Sequence, residues 1–98
     1  MILTFRDQGA EDVFNGKDSK AARKVCPPDQ QRRARATLVT LDDAESNEEL
    51  RLPPSNHLEA LTRDRKGHHS IRINRQYRVC FRWTEGGVRD AEIVDYHS

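Results

Sequence analysis

The residues with chemistry to offer lie in the second half of the chain. Glu59 is followed by Arg63, Arg65 and Lys66, then by Arg75 and Arg78, and finally by the consecutive Asp95, Tyr96 and His97. Cleavage of RNA without a metal ion needs such a mixture. A base removes the proton of a 2′-hydroxyl, cations neutralise the charge that builds on the phosphate, and an acid protonates the departing 5′-oxygen. Glu or His, Arg or Lys, and Tyr or His suit these roles. Each residue also has a plainer reading: Glu59 as a surface acid beside an arginine, Tyr96 as an aromatic at the core edge, His97 as a solvated side chain. Arg78 is the hardest to read that way, because a central strand seldom holds an arginine without a partner.

The formal net charge of +1 hides an uneven distribution. Between residues 63 and 82 stand Arg63, Arg65, Lys66, Arg72, Arg75, Arg78 and Arg82 against the single acid Asp64, with His68 and His69 among them. Residues 83–98 turn acidic again, with Glu85, Asp90, Glu92 and Asp95 against Arg89. A basic stretch on a near-neutral protein points to a polyanionic ligand, or else to a solvated strand face balanced by nearby acids. Cys26 and Cys80 are far apart and His68 and His69 are adjacent. Neither pattern is a recurring metal-ligand spacing, and no glycine loop is built to cradle a phosphate. No metal and no cofactor are therefore expected, and both cysteines are expected as reduced thiols.

These residues need a scaffold, and the periodicity supplies one. Ile2, Leu3 and Phe5 predict a short edge or sheet strand. Asp7–Gly9 reads as a break, Ala10–Asn15 as a short helix stopped by Gly16, and Lys17–Val25 as a further turn or two. Pro27 and Pro28 restart the chain, and Ala34, Leu38 and Leu41 recur at i, i+4, i+7 along a helix from Asp29 to Ala44. A short turn around Leu50 and a loop at 53–56 follow. The period then becomes two. Leu58 and Leu61 frame a short strand, and His69, Ile71 and Ile73 alternate with polar residues. Tyr77, Val79, Phe81 and Trp83 alternate with Arg78, Cys80 and Arg82. Glu85-Gly86-Gly87 predicts a hairpin turn and Ala91–Tyr96 the last strand. The fold class is α+β: an antiparallel meander with N-terminal helices packed on one face. Arg78 and Arg82 then share the face away from the core, where guanidinium forks bind phosphate oxygens in pairs.

Ninety-eight residues make one small domain, 1–98, with one modest core. Hydrophobic residues are 35% and charged residues 34%, so the charged surface is large. No apolar run approaches the ~20 residues of a membrane helix. The opening Met1–Asp7 has no basic stretch followed by a long apolar one, so a cytoplasmic protein is expected.

The stretch from Leu58 to Trp83, Leu-Glu-Ala-Leu-Thr-Arg-Asp-Arg-Lys-Gly-His-His-Ser-Ile-Arg-Ile-Asn-Arg-Gln-Tyr-Arg-Val-Cys-Phe-Arg-Trp, resembles the signature of RelE/HigB-like toxins of bacterial toxin–antitoxin modules. Glu92-Ile-Val-Asp-Tyr-His resembles that family's closing strand, and residues 2–14 resemble the HigB start. The likeness spans essentially the whole chain. It implies a microbial-ribonuclease-like fold and a metal-independent endoribonuclease that cuts mRNA on the ribosome. It also implies a HigA-like helix-turn-helix antitoxin as partner, with operator DNA reached only through that antitoxin. Carried over by position, His97 and Tyr96 match the family's C-terminal catalytic pair and Asp95 the acid before it. Arg78 matches an arginine that binds the scissile phosphate, and Glu59 a position held by His or by a Glu base. Which of Glu59 and His97 is the base stays open. Thr62 and Arg63 stand where the family has Lys and Gly. Arg63, Arg65, Lys66 and Arg75 are the expected RNA- or phosphate-binding residues, and two readings follow: Arg63 supplies the missing cation, or the chain is a weakened homologue that still docks an antitoxin or the ribosome. A plain RNA-binding domain is disfavoured by an aromatic share of 6%, which leaves few stacking platforms.

Overall fold

The computed structural model describes residues 1–62, 65 and 67–96. Three helices, α1 (Gln8–Phe14), α2 (Lys20–Val25) and α3 (Pro28–Asp43), precede two short 3₁₀ turns at Asn47–Arg51 and Pro54–Asn56. Strands β1 (Glu59–Ala60), β2 (His68–Arg72), β3 (Tyr77–Thr84) and β4 (Gly87–Asp95) follow. They form one antiparallel sheet in the order β1-β2-β3-β4, the expected meander.

Local chemistry sets the helix ends. Asp7 caps α1 by accepting from the Ala10 N–H at 2.8 Å, and Ser19 caps α2 by accepting from the Ala22 N–H at 3.0 Å. Such caps contribute about 1 kcal/mol each. Pro28 opens α3 at a position where its missing N–H costs nothing. Ala34, Leu38 and Leu41 are fully buried, as their spacing predicts. They pack in one cluster with Ile71, Val79, Phe81, Val88 and Ala91 from the sheet.

Three local expectations change. The first helix starts at Gln8 rather than Ala10, because Asp7 is its cap and Gly9 lies inside it. Gly9 is there for contact: a Cβ on it would meet the Ala21 carbonyl oxygen at 2.5 Å and the Val25 methyls at 2.9 Å. Gly9→Ala is therefore expected to cost roughly 1–3 kcal/mol despite its better helix propensity. Thermal unfolding checks this, and a midpoint equal to or above the wild type's would show that α2 moves aside freely.

The last strand starts at Gly87 rather than Ala91. Cys80 pairs with Glu92 but Arg82 pairs with Arg89, so Asp90 and Ala91 together oppose Phe81. This bulge puts Asp90 at φ 58° and switches the side-chain parity of the strand. Val88 and Ala91 are both buried although they are three residues apart, which strict alternation forbids. The opening strand is realised as two parallel bridges, Ile2 to Val88 and Phe5 to Ala91, along the outer edge of β4. The Ile2 N–H donates to Asp42 Oδ1 at 2.8 Å, tying this segment to the end of α3.

Candidate active site

The helices cover one face of the sheet, and the pairing register builds a polar row on the other. Glu59 pairs with Ser70, Ser70 with Cys80 and Cys80 with Glu92, so these residues cross all four strands side by side. Arg78 lies one step along β3 on the same face. It is 8% exposed. Its Nε donates to Ser70 Oγ at 2.8 Å, and its Nη2 donates to the Ser70 carbonyl at 3.3 Å and to the His57 carbonyl. Glu59 Oε2 is 3.4 Å from Nη2, and the Tyr96 ring centroid is 5.7 Å from the guanidinium carbon.

This placement has a chemical consequence. Neutral oxygens hold Arg78 in place without cancelling its charge. The carboxylate beside it, Glu59, is 57% exposed and sits on a short edge strand. A buried cation held by neutral oxygens beside an exposed carboxylate can exchange that carboxylate for another anion.

Behind Arg78 the row ends in a paired acid. Glu92, with only 12% of its side chain exposed, accepts from Arg65 Nη1 at 2.9 Å and from Arg6 Nη1 at 3.2 Å. The hydrogen bond to Glu92 holds the Arg65 guanidinium above its usual range. Burial pushes the Cys80 thiol up, so it stays neutral and forms part of the floor. The Tyr96 phenol is raised by partial burial and then by Cys80. It therefore remains a proton donor at neutral pH.

Of the residues singled out in the sequence, the structure brings Glu59, Arg65, Arg78 and Tyr96 to this face. Asp95 is not among them. It pairs with Tyr77 at the end of β4, and its Oδ2 accepts from Gln76 Nε2 at 3.2 Å. Arg75 sits in the β2–β3 turn, where it lines a groove with Arg33, His57 and Arg72. Arg63, Lys66 and His97 lie outside the described residues. Sequence reasoning assigned no site role to Ser70, Glu92 or the His57 carbonyl. Glu92 carried a usable signal, since it alternates in phase with Val94 and Tyr96. The other two have none, because a serine in a strand and a backbone oxygen look alike everywhere. Among the described residues no group of three or more His, Cys, Asp or Glu is placed to hold a metal ion.

Comparison with known proteins places the chain in a family. The family model described as the RelE-like toxin HigB of type II toxin–antitoxin systems matches residues 3–97. Toxin HigB-1 of Vibrio cholerae serotype O1 is 37% identical over 86 residues, 88% of this chain and 87% of that protein. An uncharacterised protein of Haemophilus influenzae is 38% identical over 61 residues, 62% of this chain and 59% of its own. Among solved structures, the YoeB–YefM complex from Staphylococcus aureus superposes with a TM-score of 0.59 at 15% identity, covering 100% of this chain and 99% of that one. That likeness speaks for the fold alone and agrees with the expected microbial-ribonuclease-like architecture. With residues 3–97 inside the family match and 37% identity to a named member over 86 residues, the chain belongs to the HigB family of RelE-like toxins of type II toxin–antitoxin systems.

Proposed function

We propose that this toxin is a metal-independent endoribonuclease that cuts mRNA on the ribosome in the cytoplasm, and that a HigA-like helix-turn-helix antitoxin neutralises it and links it to operator DNA. The observation that carries this reading is the convergence on buried Arg78 of an exchangeable carboxylate, Glu59, and a protonated phenol, Tyr96. A scissile phosphate takes the place of Glu59 on the Arg78 fork. Glu59, released but still adjacent, is then free to accept the 2′-hydroxyl proton. Arg78 neutralises the charge that develops on the non-bridging oxygens, and Tyr96 or His97 protonates the leaving 5′-oxygen. Arg65 helps indirectly, since with Glu92 it braces the floor under Cys80 and Tyr96. No helix among the described residues is long and apolar enough to cross a membrane.

The test is cleavage of mRNA on programmed ribosomes, mapped by primer extension, with a 2′,3′-cyclic phosphate expected at the cut. A toxin that binds ribosomes or antitoxin but makes no cut would establish the weakened homologue instead, the reading favoured by Thr62 in place of the family's Lys. Treating the toxin alone with EDTA, and removing the chelator before adding ribosomes, is expected to leave the cleavage rate unchanged. Loss of cleavage that a specific added metal restores would end the metal-free mechanism.

A further inference from the structure

Beside the Arg78 cluster runs a groove of about 600 Å³ between the start of α3, the second 3₁₀ turn and the β2–β3 turn. Its cationic lining is Arg33 from α3, Arg72 from the end of β2 and Arg75 from the turn, with His57 at the rim. Among the described residues no carboxylate lines it. Arg33 and Arg75 are exposed, and neither is paired with an acid among the described residues. Exposed arginines held together without counter-charges repel one another, and the sequence has acids enough to have paired them.

The groove is built rather than incidental. Asn74 Oδ1 accepts from the Gln76 N–H at 2.9 Å and the Tyr77 N–H at 2.8 Å, fixing the turn that carries Arg75. The other end of that amide donates to Gln30 Oε1 at 2.8 Å, clamping the turn to α3 and so to Arg33. Arg72 is held by the Asn74 carbonyl at 3.1 Å and lies 3.4 Å from His57 Nε2. The groove is also continuous with the candidate active site. Arg72 is the cross-strand partner of Arg78, and the His57 carbonyl accepts from Arg78.

We propose that this groove grips the phosphates of the RNA strand beyond the scissile one, through Arg33, Arg72 and Arg75. The inference rests on the nuclease reading and names the path its substrate takes. The volume suits about two nucleotides. Among the described residues no Phe, Tyr or Trp lines the groove, so the grip acts on the backbone and tolerates any base sequence, unlike a stacking platform.

The experiment measures binding of a fluorescent, 2′-deoxy-substituted single-stranded oligonucleotide to the isolated toxin by anisotropy, from 50 to 200 mM salt. In the Arg33→Ala/Arg75→Ala double variant the affinity is expected to fall on the order of ten- to thirtyfold at 0.1 M salt. The slope of log K against log salt is expected to drop by about 1.4, or about 0.7 per lost phosphate contact. The Lys/Lys double variant is expected to restore both, and all three proteins should unfold at the same temperature. Unchanged oligonucleotide affinity and slope in the alanine variant would overturn the groove, as would a wild type that binds no oligonucleotide at 50 mM salt. Unchanged oligonucleotide binding with weakened antitoxin binding would assign the groove to an acidic protein surface and overturn it too. The nuclease reading fails separately, by absence of a cut on ribosomes, and an oligonucleotide that cannot be cleaved does not depend on that outcome.

Discussion

Arg78→Ala is expected to lower mRNA cleavage by about 10²–10³-fold, the scale on which losing one charge-stabilising donor acts, and to abolish growth arrest on induction. Viewed as a strand-face residue, Arg78 would be removable at little cost to folding. Its burial and bonding change that expectation. The alanine variant leaves Ser70 Oγ, the Ser70 carbonyl and the His57 carbonyl without their donor, which costs about 1–3 kcal/mol. A fall of several degrees in the unfolding midpoint should therefore accompany the loss of activity. Arg78→Lys separates the two effects. It keeps the charge and one donor but loses the fork, so it should regain much of the stability and little of the cleavage. Folded Ala or Lys variants that still arrest growth at wild-type expression would reduce Arg78 to a structural strut.

The second large effect is expected at the chain end. A protein stopped after Asp95 loses the Tyr96 N–H bond to the Gln76 carbonyl at 2.6 Å, the ring over Arg78, and His97 with it. Ile93 remains buried against the core, so the sheet should survive with a loss of about 1–2 kcal/mol. Growth arrest should disappear. Tyr96→Phe tells why. It keeps the ring over Arg78 and removes only the hydroxyl. If the phenol is the proton donor, cleavage falls by about 10²-fold or more while stability hardly changes. Full cleavage by the phenylalanine variant would leave Tyr96 as a lid on Arg78 and move the proton transfer to His97. A truncated protein that folds and still arrests growth would remove both residues from the mechanism.

Local pattern alone determined a good deal about this protein. The spacing of Ala34, Leu38 and Leu41 located α3 and its buried face, since a 3.6-residue period has one geometric meaning. The alternation of Val79 and Phe81 with Arg78 and Cys80 located β3 and assigned its two faces, because a period of two is equally unambiguous. The motifs from Leu58 to Trp83 and from Glu92 to His97 carried the family. Tertiary structure decided what periodicity cannot encode. Antiparallel register set Glu59, Ser70, Cys80 and Glu92 in one row, and register depends on turns and pairing far apart in the chain. The bulge at Asp90 moved the start of β4 by four residues because an extra residue inverts the alternation on which the reading relied. The sorting of the arginines also came late. In the sequence Arg65, Arg75 and Arg78 form one basic run. In the fold Arg65 is bound to Glu92, Arg78 is buried among neutral oxygens with Glu59 beside it, and Arg75 is open to solvent in a groove that no acid among the described residues lines. A charge's role depends on what else is within a few ångströms of it, and only the folded chain brings those neighbours together.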